Sequence, residues 1–337
     1  MAPGAASAVA VGSDAVPCRR LAGAVIAVAL AAPAACGGGG SDGDDAARPT
    51  TTATTAPPET TTTTAPATTT TAPFDPATLR PPAPATDPVA LAGQIAAAEA
   101  TIRQQGVAAP DLSAAGLAQQ VAYRQLGDHP KWDAAVLAAL APDLQPVAST
   151  HAAARRDLRA LTGSPSTEMP AWRIQAPAPA ADLVAWYHEA EAASGVPWQY
   201  LAAVNLVETG IGRIHGLSTA GAQGPMQFLP STWEIYGEGD IEDPHAAILA
   251  AGRLLAANGA PGDMDAALFS YNHDNRYVRA VSRYAELIAQ HPGAYAGVHA
   301  WGIWYWTTAG DIYLPIGWES AERVPVDQYV TAHPNGT

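Results

Sequence analysis

The sequence predicts a mostly α-helical protein with a disordered N-terminal quarter and a small β-hairpin near its C-terminus. Residues 88–291 are rich in alanine and place larger apolar residues at helical spacing. Residues 37–87 are dominated by Thr, Pro and Ala. Residues 295–329 are rich in aromatic side chains and place two apolar runs around a glycine-containing turn. The chain has 337 residues, which is enough for one to three domains.

The first 36 residues have the pattern of a bacterial export signal. Arg19 and Arg20 precede the apolar run 21–32, which is shorter than the roughly 20 residues that span a bilayer. Cys36 follows Pro33-Ala34-Ala35, as small residues precede the cysteine of a bacterial lipobox. We therefore expect lipidation of Cys36 and anchoring on the outer face of the cell membrane. The alternative is an ordinary signal peptide, an incidental Cys36 and a secreted protein.

Charge and cysteine content restrict the possible partners. The net charge is −14, and the only local basic group in the folded region is Arg155, Arg156 and Arg159. Nucleic acid requires a broad basic face, so we expect no nucleic-acid partner. Cys18 and Cys36 are the only cysteines, which excludes a cysteine-based metal cluster. We expect a monomer that needs neither a metal nor another cofactor.

The middle of the chain divides by composition. Residues 37–87 cannot bury enough apolar surface to offset their ordering entropy, which predicts a disordered tether. Residues 88–163 are predicted to form an accessory region of two to four helices, with Leu91 and Ile95 on one helical face. The Pro- and Ser-containing residues 164–180 are predicted to be a linker.

Residues 181–291 are predicted to form a helical domain. Pro197 lies at a helix start, Gly210 occupies the usual position after a helix end, and Asp243 precedes Pro244 as a capping residue. The predicted helices span residues 181–194, 197–208, 230–236, 245–258, 263–270 and 276–290.

Residues 292–337 are predicted to be an aromatic-rich β extension. The runs 303–307 and 312–314 flank Ala309-Gly310-Asp311, which indicates a hairpin. Its aromatic side chains either bury an edge of the fold, the interpretation that we favour, or form a platform on which sugar rings stack.

Glu208 is the strongest candidate for a catalytic residue. It lies at the C-terminal end of a predicted helix, where the helix dipole disfavours an anion. Its neighbours Val204, Leu206 and Val207 provide little solvation. Both effects raise the pKa of a carboxyl group, as a general acid working near neutral pH requires.

Three motifs in order extend this hypothesis. They are Glu208-Thr209, Gly224-Pro225-Met226-Gln227 and Ser270-Tyr271-Asn272. At these residues the sequence resembles the lytic transglycosylases of the goose-lysozyme-like superfamily, whose signatures are Glu-Ser, Gly-Leu-Met-Gln and Ala-Tyr-Asn. The resemblance covers about residues 181–291. It implies a lysozyme-like helical domain that acts on the glycan strands of peptidoglycan.

The resemblance also implies a mechanism. Glu208 would protonate the bond between N-acetylmuramic acid (MurNAc) and N-acetylglucosamine (GlcNAc). As a carboxylate, it would then take the proton of the muramyl C6 hydroxyl, which closes a 1,6-anhydro ring without water.

The other motif residues receive roles from the same resemblance. Met226 and Gln227 would line the muramyl subsite, and Tyr271 would hydrogen-bond near Glu208 and orient it. Asn272 would hold the loop or the sugar, or alternatively cap a helix. The remaining matched residues are Ser218, which would lie near the acid, and Thr209 and Gly224, which would support the site.

Two alternative functions remain. The acidic run Glu238, Asp240, Glu242 and Asp243 is either a solvated loop with a helix cap or the source of a second carboxylate, which would make the protein a hydrolytic muramidase. Its spacing does not fit a calcium-binding EF-hand, and His215, His245 and His273 lack metal-ligand spacing. A cell-wall protein that binds glycan without cutting it is the third possibility.

Overall fold

The structure is a computed structural model that describes residues 74–334. The described part is mostly helical, as predicted. Its helices are α1 (Pro88–Ile102), α2 (Ala109–Asp128), α3 (Asp133–Ala139), α4 (Leu144–Thr162), α5 (Ala180–Ser194), α6 (Trp198–Thr209), α7 (Pro230–Tyr236), α8 (Pro244–Ala257), α9 (Met264–Tyr271), α10 (Asn275–Gln290), α11 (Ala294–His299) and α12 (Val326–Ala332). The export signal, Cys36 and most of the tether lie outside the described residues.

Short antiparallel pairs complete the described fold. The strands are β1 (Glu168–Met169), β2 (Arg173–Ile174), β3 (Ile214–His215), β4 (Ile303–Thr307), β5 (Gly310–Leu314) and β6 (Val324–Pro325). β4 and β5 form the predicted hairpin, with Ile303 opposite Leu314 and Thr307 opposite Gly310. β1 pairs with β6, and β2 pairs with β3.

Capping residues in the sequence predicted the start of α8 and the end of α6. Asp243 accepts a hydrogen bond from the Ala246 amide at the start of α8, at 2.7 Å. Gly210 ends α6 in the left-handed conformation, with φ of 63°. The short helices α11 and α12 were not predicted, because each is too short to show a helical repeat of apolar residues.

The accessory helices share a core with residues 181–291. α4 packs along α10, and α2 packs against α4 and α11. Buried side chains from both regions, including Leu91, Val147, Leu201 and Val281, belong to one hydrophobic cluster. The accessory region therefore belongs to the same folded unit as residues 181–291, because its apolar faces contribute to the shared core.

Two of the predicted irregular segments are ordered. The proposed linker contributes β1 and β2, because its backbone groups find partners in β6 and β3. The end of the proposed tether also packs on the fold: Ala85 is buried, and its backbone exchanges hydrogen bonds of 2.9 and 2.6 Å with the Gln125 side chain. The prediction of disorder did not anticipate this packing of residues 74–87, in which the Gln125 side chain of α2 satisfies the backbone of Ala85.

A second, smaller core lies under the hairpin. Met169, Ile174, Tyr305 and Leu314 are its most buried members. The alternation of β4 places Tyr305 in this core and leaves its neighbours Trp304 and Trp306 half-buried on the other face. Within residues 74–334, no helix combines the length and apolar character needed to cross a membrane.

Candidate active site

Glu208 lies in the last turn of α6, deep in the protein. Every residue from Leu201 to Thr209 is buried, because α5, α8 and α10 pack around this helix. The helix must end abruptly at Gly210, whose φ is positive and whose added Cβ would lie 2.4 Å from Ile303 Cδ1. A glycine is needed there both for the turn and for close packing of the hairpin on the helix end. The fold thus carries Glu208 to the edge of a cleft while leaving its side chain only 9% exposed.

The environment of Glu208 favours its protonated form. Burial raises the pKa of this carboxyl to about 8, and a hydrogen bond from Tyr277 partly opposes the shift. The Tyr277 hydroxyl donates to Glu208 Oε1 at 2.7 Å. No arginine or lysine contributes to the shift. Near neutral pH the group is therefore mainly a neutral carboxylic acid, with one donor ready to stabilise its anion.

The tyrosine in contact with Glu208 is not the predicted one. Tyr271 instead donates its hydroxyl hydrogen bond to the Met226 carbonyl at 2.6 Å. Its position at the end of α9 directs the ring toward the loop, whereas Tyr277 in α10 faces α6. The two rings stack at 6.3 Å between centroids. Tyr277 belongs to the apolar stripe of α10, so its sequence pattern indicates only a core residue.

The segment 223–228 forms a tight loop beside the end of α6. Gly224 has φ of 72°, and an added Cβ would lie 2.0 Å from the Ile241 carbonyl oxygen. Met226 is fully buried, while Gln227 is half-buried in a left-handed conformation with φ of 51°. The side-chain amide of Gln227 donates a hydrogen bond from Nε2 to the Gly224 carbonyl at 2.9 Å. The loop is therefore fixed by its own hydrogen bonds and holds a strained non-glycine residue, a feature concentrated at functional sites.

Thr209 ties this loop to α6. Its hydroxyl donates to the Pro225 carbonyl at 2.6 Å and accepts from the Gly212 amide at 2.8 Å. The side chain is completely buried. Loss of the hydroxyl would leave the carbonyl unsatisfied and free the loop from the helix end that carries Glu208.

Ser218 and Asn272 occupy turns. The Ser218 hydroxyl accepts from the Ala222 amide at 2.9 Å, so it stabilises the small-residue loop. Asn272 is buried and follows α9 as its C-terminal cap. It is not the N-cap of α10, a position occupied by Asp274, whose carboxylate accepts from the Arg276 amide at 2.7 Å.

The acidic run has structural contacts instead of facing Glu208. Glu242 accepts a hydrogen bond from the Gly224 amide at 3.2 Å, Asp240 accepts one from the Glu242 amide at 2.9 Å, and Asp243 caps α8. Glu238 is exposed near Arg253. Among the described residues, Glu208 is the only Asp or Glu that lines its cleft.

The histidines also have local partners. His215 lies 3.7 Å from Glu242, and His245 lies 2.9 Å from Glu189. His273 is exposed beside Phe269. Within the part of the chain that the structure describes, no group of His, Cys, Asp and Glu residues could hold a metal ion.

The cleft that contains Glu208 extends between α6, the accessory helices and the hairpin. The region of the cleft contains about 1050 Å³ of space not filled by protein atoms, part of it open to solvent. The hairpin contributes Trp304 and Trp306, and α2 and α4 contribute Arg124, Arg155 and Arg159. The aromatic residues of the C-terminal extension thus divide: Tyr305 is buried in the smaller core, whereas the buried Trp301 and the half-buried Trp304 and Trp306 line the cleft.

Comparison with known proteins gives one match. Residues 186–288 match the family model described as Transglycosylase SLT domain. The matched segment contains Glu208, the 223–228 loop, Tyr271 and Tyr277, and it excludes the accessory helices and the hairpin. Neither the curated proteins nor the solved structures gave a match.

Proposed function

Because this chain contains a transglycosylase SLT domain of lysozyme-like fold at residues 186–288, we propose that it cleaves peptidoglycan with formation of 1,6-anhydro-MurNAc. The domain supports lytic transglycosylase activity on peptidoglycan in general. The observation that carries the finer proposal is a single buried carboxyl group, protonated near neutral pH, in a cleft that has no second carboxylate among the described lining residues.

In the first step of this proposal, Glu208 donates its proton to the oxygen of the MurNAc–GlcNAc β-1,4 bond. The C1–O bond breaks and GlcNAc leaves with its hydroxyl group restored. The substrate's own acetamide oxygen stabilises the positive charge at C1. Gln227, half-buried on the loop beside α6, is proposed to bind this acetamide and to line the muramyl subsite with Met226.

In the second step, the Glu208 carboxylate accepts the proton of the muramyl C6 hydroxyl while O6 bonds to C1. The anhydro ring closes, and Glu208 regains the proton that it gave up. The Tyr277 hydroxyl, 2.7 Å from Glu208 Oε1, stabilises the intervening anion and fixes its direction. Tyr277 therefore acts as a positioning residue.

The remaining predicted site residues support the loop or the sugar in this proposal. Thr209 and Gly224 hold the loop against α6, and Tyr271 fixes the Met226 carbonyl. Ser218 and Asn272 are proposed to shape the edge of the muramyl subsite from their turns.

Hydrolysis is the weaker alternative. An inverting hydrolase needs a general base roughly 6.5–9.5 Å from the acid, and a retaining hydrolase needs a carboxylate nucleophile at about 5 Å. The acidic run offered the only local candidates, and its members hydrogen-bond the loop, cap α8 or face solvent.

The cellular setting follows from the same domain. An SLT domain implies an exported protein that acts on the cell wall. We propose that a lipid on Cys36 anchors it to the outer face of the membrane, and that residues 37–73 act as the tether.

The test is mass spectrometry of the products released from purified peptidoglycan by the wild-type chain and by Glu208→Gln. We expect anhydro-muropeptides from the wild type only. Products with reducing ends would instead indicate a muramidase. A wild-type chain that sediments with the wall but releases nothing would indicate a binding protein.

A further inference from the structure

Three arginines that line the cleft containing Glu208 converge on Asp311, which does not itself line the cleft. Arg124 Nη2 lies 2.5 Å and Arg155 Nη2 lies 2.9 Å from Asp311 Oδ2, and Arg159 contacts both oxygens of Asp311 at 3.0 Å. We name Arg124, Arg155, Arg159 and Asp311 the arginine cluster. Arg156, between two members in sequence, turns away to Asp133. The spacing of Arg155 and Arg159 places both on one face of α4.

The arginine cluster has more positive than negative charge. A second carboxylate next to the cluster, that of Asp128, lies 3.4 Å from both Arg155 and Arg159. Three guanidinium groups thus face two carboxylates, in a chain whose net charge is −14. Burial, followed by repulsion from Arg155, lowers the pKa of Arg124 to about 10, so it stays charged at neutral pH. A further anion in the cleft would relieve this repulsion.

The cluster faces space that a ligand can occupy. Each of the three arginines lines the cleft and keeps between 15% and 23% of its side chain exposed. If Asp311 only linked the hairpin to α4, one or two arginines would be enough to neutralise it. The third arginine next to open space is not needed for that link. The three arginines lie on α2 and α4 and Glu208 lies on α6, so the cluster and the acid occupy different walls of the same cleft.

Two tryptophans form a shelf beside the cluster. The Arg159 guanidinium lies 4.1 Å from the centroid of Trp306, and that of Arg124 lies 5.0 Å from the centroid of Trp304. The stacking holds two of the cations in place before a ligand arrives. The shelf also offers an apolar surface for a sugar ring or a peptide methyl group.

We propose that the arginine cluster and the Trp304–Trp306 shelf form a subsite for a carboxylate of the peptide stem carried by the glycan strand. This inference rests on the proposed function, since it assigns a second contact to the same substrate. The GlcNAc ring has no charge, whereas the peptide stems of peptidoglycan carry carboxylates. Guanidinium groups bind carboxylates through paired, charge-assisted hydrogen bonds. The enzyme therefore prefers strands whose stems keep their negative charge.

The experiment measures binding of soluble glycan strands to the full chain with Glu208→Gln, which prevents cleavage. One strand preparation carries native stems, and the other carries the same stems with their carboxylates converted to carboxamides. We expect about tenfold tighter binding of native strands, as one charge-assisted contact provides. Adding Arg159→Gln is expected to remove most of this ratio. The matched control Arg279→Gln, whose half-exposed arginine pairs with Asp157 outside the cleft, leaves the ratio unchanged.

A second variant distinguishes loss of the subsite from a folding defect in Arg159→Gln. Asp311→Asn keeps all three arginines and removes the charge that neutralises them, so we expect the preference for native strands to increase. Equal binding of both strands, or an equal loss for both in Arg159→Gln, would overturn the subsite. A wild-type chain that yields no anhydro product refutes the proposed function instead, and the binding ratio still decides the subsite.

Discussion

The two sides of the cleft are built from different chemistry. On one side, the end of α6 carries Glu208, whose carboxyl group is kept protonated by burial and accepts a hydrogen bond from the Tyr277 hydroxyl. On the other side, helices α2 and α4 and the hairpin supply the arginine cluster and two tryptophans. A cation close to Glu208 would lower its pKa and weaken the acid. The separation of the two sides lets one cleft combine a cationic surface with an uncharged carboxyl group.

The largest expected effect tests the acid side. Glu208→Gln keeps the size of the side chain but cannot donate a proton to the glycosidic oxygen. We expect the rate of anhydro-muropeptide release to fall by about 10²–10⁴-fold, as for loss of a general acid. The measurement is quantitative chromatography of muropeptides. A variant with more than a tenth of the wild-type rate would show that another group delivers the proton.

The same substitution should change the free energy of unfolding by an amount that depends on pH. The pKa of Glu208 is raised on folding, so folding must keep the group protonated, and wild-type stability falls as pH rises from about 4.5 to about 8. Glu208→Gln does not ionise. We expect it to be more stable than the wild type at pH 9, with an upper bound of roughly 5 kcal/mol, and nearly equal at pH 4. Urea unfolding at both pH values measures this, and a constant difference would contradict a buried, raised carboxyl.

The contact between the end of α6 and the hairpin, which joins the two sides of the cleft, is tested by a substitution at Gly210. In Gly210→Ala the new methyl group meets Ile303 and the backbone must keep a positive φ. We expect a loss of about 2–4 kcal/mol in the free energy of unfolding. The matched control is Gly195→Ala, which has φ of 75° in the same left-handed region but places the added Cβ no closer than 3.7 Å to Pro261 Cδ, and it should lose only about 1–2 kcal/mol. Equal losses would mean that contact with the hairpin does not matter.

The smallest effect concerns Tyr277. Tyr277→Phe removes the hydrogen bond that lowers the pKa of Glu208, so that pKa should rise further. The alkaline limb of the pH–rate profile should move to higher pH, and kcat should fall by about tenfold, because the anion loses its donor. Tyr271→Phe, whose hydroxyl contacts the Met226 carbonyl, should leave the limb in place. If Tyr271→Phe moved the limb instead, Tyr271 would be the partner of Glu208.

The sequence indicated more of the side that carries Glu208 than of the side that carries the arginine cluster. Glu208 and the 223–228 loop lie near each other in the sequence and match ordered motifs, and the helices follow from alanine content and capping residues. Tyr277 was missed because a buried phenol in an apolar stripe has the same pattern whether or not it contacts a carboxyl group. The arginine cluster joins Arg124 to Asp311, which are remote in sequence, and no local pattern encodes that contact.

The order of residues 74–87 was missed for a similar reason. Composition predicts how a segment behaves alone, whereas Ala85 is ordered by the Gln125 side chain of α2. The pairing of β1 and β2 also depends on partners that are distant in the chain.

The shared core of α4 and α10 sets limits on exchanging parts between enzymes of this kind. A chimera cut at residue 186 and residue 288 would transplant every motif residue but leave the face of α10 bare, so it would aggregate. Grafts that begin near residue 74 and run through the final helix carry the buried surfaces together. Recombination that respects these boundaries can replace residues 1–73 and keep the shared core intact.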